Sequence, residues 1–308
     1  MPLTPYAVLE HQGVNVSLHT PLSEAYPIHN IFDAIYPPLG NFCRRFGNID
    51  GWEATSVKFF DDNYDILMIS LLLYLPVIFG GRYLMQDRKP FDLRYPLIAW
   101  NLAMSLFSLL GSIYLLPMYA RIFQDVGWFN GVCTRWCFAY GEESFLIFLF
   151  DLSKMVEFVD TIFIVLRKKP LIFLHYYHHV ITMTFCWVMN QSSHLYGCHG
   201  FHFATMNFFV HFVMYSYYGL MACRIRMPGW VSTAITTMQI IQMIIGVSIV
   251  STLGMCERTD GFTVGFGAAL YMSFFLLFAK FFYDRYVGGK RAAGKSAQPA
   301  GGKSKKTQ

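Results

Sequence analysis

His175, His178 and His179 are spaced three and four apart, which brings three imidazoles to one side of a helix. A neutral imidazole can attack a carbonyl or take a proton, and each ring carries one donor and one acceptor that both need partners. A lone histidine on an apolar face reads as a packed core residue; three on one face read as chemistry. A second stripe, Lys154, Glu157, Asp160 and Thr161, steps by three, three and one. Lys154 and Glu157 can neutralise each other along the helix, but Asp160 has no partner there and must face protein or water. Asn207, His211, Tyr215 and Tyr218 step by four, four and three, and Thr236, Gln239 and Gln242 by three. Two glutamines alone would serve as glue between helices. Four such stripes on consecutive segments point to inward faces around a shared chamber.

The segments that must carry these stripes are apolar. Of 308 residues, 55% are hydrophobic, 18% aromatic and only 14% charged, against roughly 25% charged in soluble domains. A bilayer is the expected solvent. An ionisable group at membrane depth costs about 3 kcal/mol even on the mildest scale, so each stripe has to turn away from lipid. About 20 apolar residues span the hydrocarbon core, and seven such segments are read near 64–84, 95–117, 144–166, 171–189, 201–221, 230–253 and 262–284. Those near 171–189 and 201–221 are diluted by His, Asn and Tyr and should register poorly by hydropathy. The expected fold is an all-α membrane protein whose seven transmembrane helices enclose a polar chamber.

Loop charge sets the expected orientation. Arg88, Lys89 and Arg94 follow the first segment, Arg167, Lys168 and Lys169 the third, and Arg224 and Arg226 the fifth, while the alternate loops hold Arg121, Arg135 and Arg258. The positive-inside rule puts the first set and the C-terminal tail in the cytosol and the N-terminus in the lumen. The start MPLTPYAVLEHQG offers neither a basic nor an apolar signal region, so no cleavable signal peptide is expected. Three parts follow: a lumenal segment 1–60, a seven-helix domain 61–285, and a basic tail 286–308 whose Gly, Ala, Lys and Ser composition reads as disordered. The tail ends Lys305-Lys306-Thr307-Gln308, which resembles a dilysine retrieval signal of the endoplasmic reticulum. No aromatic interleaves with its charges after Tyr286, so it reads as a solvated end and not a nucleic-acid site.

The seven cysteines lack paired C-x-x-C spacing, so no zinc framework is expected. Cys133, Cys137 and Cys256 fall in loops of the oxidising compartment. One of the first two pairs with Cys256, or all three remain thiols. Asn15-Val16-Ser17 is an accessible sequon on the same side.

Taken in order, the four stripes resemble the boxes of the ELO family of fatty-acid elongases. Lys154, Glu157, Asp160 and Thr161 match K-x-x-E-x-x-D-T; His175, His178 and His179 match H-x-x-H-H. Asn207, His211, Met214, Tyr215, Tyr217 and Tyr218 match N-x-x-x-H-x-x-M-Y-x-Y-Y, and Thr236, Gln239 and Gln242 match T-x-x-Q-x-x-Q. The resemblance covers roughly residues 60–285, and LRKKPLIFLHYYHH (166–179) is most similar to members that extend saturated and monounsaturated chains. It implies condensation of a long acyl-CoA with malonyl-CoA in the endoplasmic reticulum, with an acyl tunnel inside the helical bundle and no cofactor or metal. By that resemblance His178 takes the acyl group as an acyl-imidazole, His175 and His179 orient the ring and shuttle its proton, and Asn207, Gln239 and His211 bind the thioester and enolate oxygens. Lys154 with Glu157 fixes the chamber, with Asp160, Thr161, Tyr215, Tyr218 and Gln242 on its substrate side. Arg167, Lys168, Lys169, Arg224 and Arg226 face the CoA phosphates. The implied partners are the lipid bilayer, the ketoreductase, dehydratase and enoyl reductase of the elongation cycle, and further copies of this chain.

Two other readings compete. Membrane di-iron oxidases also use H-x-x-H-H, but they need about eight histidines. Here His175, His178, His179 and His211 are the intramembrane set, with His194, His199 and His202 at the lumenal end and His11, His19 and His29 in the N-terminal segment. A seven-helix receptor would share the topology but gives no reason for three histidines on one face.

Overall fold

The computed structural model describes residues 58–133, 142–196, 200–256, 259 and 261–288, and among them every regular element is helical. After a short turn of helix at 58–62 come α1 (Tyr64–Leu84), α2 (Arg94–Cys133), α3 (Glu142–Val156), α4 (Phe158–Leu166) and α5 (Phe173–Tyr196). They are followed by α6 (Gly200–Ala222), α7 (Gly229–Leu253) and α8 (Gly261–Phe282), which runs into a π-helical turn at Tyr283–Gly288. The segment 1–57, Cys137, Arg135, Arg258 and the tail from 289 lie outside the described residues.

Among the described residues four helices are long and apolar enough to cross a membrane: α1, α2, α7 and α8 with its terminal turn. The chain is a membrane protein. α3 and α4 are each too short, at 15 and 9 residues, while α5 and α6, diluted by His, Asn and Tyr, register poorly as expected. The outer faces of α1 (Met68, Ile69, Leu72, Leu73) and α7 (Ile241, Ile244) are exposed apolar surface suited to lipid.

Three boundaries differ from the sequence reading. The second segment was expected to stop at Pro117, yet α2 continues through that proline to Cys133. Packing overrides the lost backbone bond, because Met118 and Ile122 beyond it are fully buried against Phe201, Ala204 and Phe208 of α6. At 40 residues a straight α2 would measure about 60 Å. It is not straight: Gly127, at φ 75° and ψ 174°, folds the chain back, a conformation open to glycine alone at low cost. Trp128 then stacks on Phe123 and its Nε1 donates to Thr252 Oγ1 over 2.9 Å. The fold-back is fastened by a disulfide between Cys133 and Cys256, which settles the pairing left open between Cys133 and Cys137.

The third segment, expected as one helix, is divided at Glu157 into α3 and α4. The Glu157 N–H still bonds to the Ser153 carbonyl, but the Asp160 N–H reaches back only three residues, to Glu157. This local tightening occurs at a stripe residue. The fourth apolar segment ends near 189, ahead of the polar run from Asn190, but the α5 backbone stays helical to Tyr196.

Both basic loops after α4 and α6 close in the same way. Lys168 (φ 53°) and Arg224 (φ 65°) take the left-handed position usually given to glycine. The Lys169 N–H bonds to Ile164 O, and the Ile225 N–H to Leu220 O.

The core lies in layers between helix pairs. α2 packs most extensively on α6, and α7 on α8. Between α5, α6, α7 and α8 sit Phe185, Phe203, Met243, Leu270, Tyr271 and Phe274. The Tyr271 ring lies directly on α7 at Gly246, where an added Cβ would stand 2.3 Å from it.

Candidate functional site

Glu157, at the α3–α4 junction, is the hub of one buried network. Its Oε1 receives Lys154 Nζ at 2.6 Å and Ser153 Oγ at 3.3 Å, and His211 Nδ1 of α6 stands 3.6 Å away. Lys154 also donates to Asn207 Oδ1 over 2.9 Å and lies 4.1 Å above the Phe150 ring. The pair therefore neutralises itself and at the same time ties α3 to α6. Burying such a pair is tolerable only with these extra bonds.

Asp160, one turn along, finds its partners on other helices. Trp100 Nε1 of α2 donates to Oδ1 and Tyr215 OH of α6 to Oδ2, both at 2.6 Å. Thr161, fully buried, is bonded on one side to Tyr74 OH of α1 (2.7 Å) and on the other to His175 Nε2 of α5 (2.9 Å).

The three histidines of α5 form a contiguous group: the His175 and His179 ring centroids are 4.5 Å apart, and His178 and His179 5.4 Å. His178 rests against Phe274 of α8 at 5.2 Å. Among the described residues, neither ring nitrogen of His178 has a hydrogen-bond partner, and His178 is more accessible than the buried His179 and His211.

A cavity of about 620 Å³ brings these groups together. His175, His178, His179, His211, Glu157, Asp160, Tyr215, Tyr218 and Gln239 all line it, as do Arg167 and Lys169 at its exposed end. Gln239 Nε2 faces Met214 Sδ at 3.6 Å. Lys154, Asn207 and Thr161 stand behind the wall, bonded to residues of the lining or to each other. Gln242 is buried one turn further along α7 and does not reach the cavity. Lys168, Arg224 and Arg226 also lie outside it; the Lys168 ammonium is held by the Gln86 and Arg88 carbonyls.

Sequence reasoning missed Tyr74, Trp100, Arg285 and Tyr286. The last two line the exposed end of the cavity from the π-helical turn, and Tyr286 OH meets Thr236 Oγ1 at 3.3 Å. Each is a lone polar or charged group without helical repetition. The only available signal was a hydrogen-bonding tip within, or just after, an apolar run.

Chemically, the cavity offers an unpartnered imidazole, a second imidazole beside a neutralised carboxylate, amide and phenol donors, and cations at its exposed end. Among the described residues no three His, Cys, Asp or Glu side chains group as a metal ion would need.

Comparison with known proteins gives a consistent result. The GNS1/SUR4 (ELO) family profile matches residues 59–294. Long chain fatty acid elongase 1 of Caenorhabditis elegans is 36% identical over 247 residues, covering 77% of this chain and 85% of that protein. Very long chain fatty acid elongase 6 of Drosophila melanogaster is 40% identical over 234 residues (71% and 72%), and its Homo sapiens counterpart 34% over 250 (79% and 93%).

Proposed function

The chain belongs to the GNS1/SUR4 (ELO) family of fatty-acid elongases, and from that premise we propose that it catalyses the condensing step, joining a long-chain acyl-CoA to malonyl-CoA. The observation that carries this reading is the His178 ring, facing the shared cavity with both nitrogens unpartnered among the described residues. A neutral imidazole nitrogen attacks the acyl thioester carbonyl; the C–S bond breaks, and CoA leaves as its thiol with a proton passed through the histidine group. Malonyl-CoA then loses CO₂, leaving an enolate whose carbon attacks the acyl-imidazole. The C–N bond breaks, 3-ketoacyl-CoA forms, and the freed imidazole takes a proton from solvent, which restores His178.

The surrounding groups suit the charges that develop. Asn207 stands behind the cavity wall and Tyr215 gives its hydroxyl hydrogen to Asp160, so Gln239 and His211 are the nearer candidates to stabilise an oxyanion. Arg167, Lys169 and Arg285 at the exposed end suit the CoA phosphates. Seven spans are proposed, counting α3 with α4 as one. Loop charge favours an N-terminus in the lumen with the basic loops and tail in the cytosol, and residence in the endoplasmic reticulum is part of the proposal. No cofactor enters this scheme. Saturated and monounsaturated acyl chains are the proposed substrates, and the reductases and dehydratase of the same cycle the proposed partners.

The test is the order of product release. With acyl-CoA alone, purified enzyme should release free CoA in a burst of at most one equivalent and gain the acyl mass on a peptide spanning 171–189. Malonyl-CoA should then discharge that adduct into 3-ketoacyl-CoA. Active enzyme that releases CoA only when both substrates are present would rule out the acyl-imidazole.

A further inference from the structure

His175 lines the cavity beside His178, yet one of its nitrogens is already committed. Nε2 is 2.9 Å from Thr161 Oγ1, which in turn is 2.7 Å from Tyr74 OH. The chain crosses three helices: Tyr74 is one of three buried residues of α1, Thr161 sits in α4, and His175 opens α5. The Tyr74 ring is stacked on Phe158 with centroids 4.2 Å apart, which fixes the direction of its hydroxyl.

The chain fills in one of two ways, according to whether Nε2 donates or accepts. If His175 donated from Nε2, either Thr161 would donate to Tyr74 and leave the Tyr74 hydrogen without an acceptor, or Thr161 would accept from both and leave its own hydrogen without one. Thr161 is the sole hydrogen-bond partner of the Tyr74 hydroxyl among the described residues, and the Tyr74 side chain is buried. An unmet buried donor carries its full desolvation cost. In the other order Tyr74 donates to Thr161, Thr161 donates to Nε2, and every group is satisfied. His175 has no carboxylate partner among the described residues, and its ring is neutral in this account.

We propose that Thr161, itself accepting from Tyr74, holds His175 in the tautomer with its proton on Nδ1, so that His175 serves the reaction as a hydrogen-bond donor and not as a base. The nitrogen bonded by the protein sets which other nitrogen carries the proton. Nδ1–H is then the only polar group of the ring left for a ligand, and the matching chemistry is an oxygen that gains negative charge, on the acyl thioester or the enolate. Proton removal falls to the other histidines. Thr161 is a positioning residue, and Tyr74, from a helix that carries none of the four stripes, donates to it. This inference rests on the condensation reading for its chemistry but not for its geometry.

The test separates the two. The full chain is labelled with ¹⁵N-histidine and reconstituted without substrate, and the His175 ring signals are assigned by their loss in His175→Asn. The wild type should show the Nδ1–H pattern. Tyr74→Phe leaves Thr161 with Nε2 as its one acceptor, so the Nδ1–H pattern should persist; Thr161→Val removes that donor, and an Nε2–H population should appear. In turnover assays Thr161→Val should lower kcat about tenfold, the weight of one hydrogen bond, with little change in either KM, and Thr161→Ser should recover what Thr161→Val loses. A wild-type ring protonated on Nε2, or a Thr161→Val enzyme with unchanged kcat, overturns the proposal. If the wild type makes no 3-ketoacyl-CoA, the reaction reading fails and the tautomer is still decided.

Discussion

The two ends of the helical bundle are held by different forces. Around the cavity, helices are joined by single polar atoms: Trp100 and Tyr215 on Asp160, Lys154 on Asn207, Tyr74 and His175 on Thr161. At the far end the fold-back of α2 is held by a disulfide to Cys256 just past α7, by the Trp128 indole on Thr252 of α7, and by stacking of Trp128 on Phe123 within α2. Polar joints in a low-dielectric interior are worth little net while intact and cost much when one partner is removed. A clamp of sulfur and rings has the opposite character, because its loss leaves no charge stranded. The site end should be brittle in function and the clamped end tolerant.

The largest contrast should come from His178→Ala. It is expected to abolish both the CoA burst and turnover while leaving the melting temperature close to wild type, since no hydrogen bond is lost. Lys154→Met should follow: it strands Glu157 in the interior and should cost about 3–5 kcal/mol of stability, read as a large fall in melting temperature. Lys154→Met with Glu157→Gln should restore most of that stability but not activity. If the single variant is as stable as wild type, the polar end is not brittle. The disulfide comes next. Cys133→Ser with Cys256→Ser should lose about 2 kcal/mol, the lower end of the usual range, because membrane insertion already restrains the chain. Its kcat should stay near wild type; a large loss of kcat would erase the distinction between the ends. The smallest effect expected is from Trp100→Phe, which leaves Asp160 one donor. About 1.5 kcal/mol is the minimum for a bond to a charged group. That should appear as a roughly tenfold fall in kcat, well short of His178→Ala.

The sequence spoke most clearly where residues repeat with the period of a helix. The four stripes could be assigned to inward faces because three- and four-residue steps are local geometry. Their partners across helices were not legible. Nothing in the spacing of Asp160 names Trp100, sixty residues away, and nothing in Thr161 names Tyr74. The same limit explains the basic residues. Lys168 and Lys169 are neighbours in sequence, but one is turned to the Gln86 and Arg88 carbonyls and the other lines the cavity, a difference made by one left-handed residue. The far part of α2 was not legible for a related reason: the expected apolar span ends near 117, and the helix goes on because α2 packs on α6.

That left-handed residue has a consequence for handling the protein. The run Arg167-Lys168-Lys169 is exposed at its second and third members and looks like a trypsin site. Yet its backbone N–H groups are bonded to Phe163, Val165 and Ile164, and the Lys168 ammonium is fastened to a second loop. A protease must draw several residues into extended form, and nicking concentrates where backbone is free of such bonds. The loop between α4 and α5 should therefore resist trypsin in the folded protein, and cleavage there would report that the α4 end has come apart.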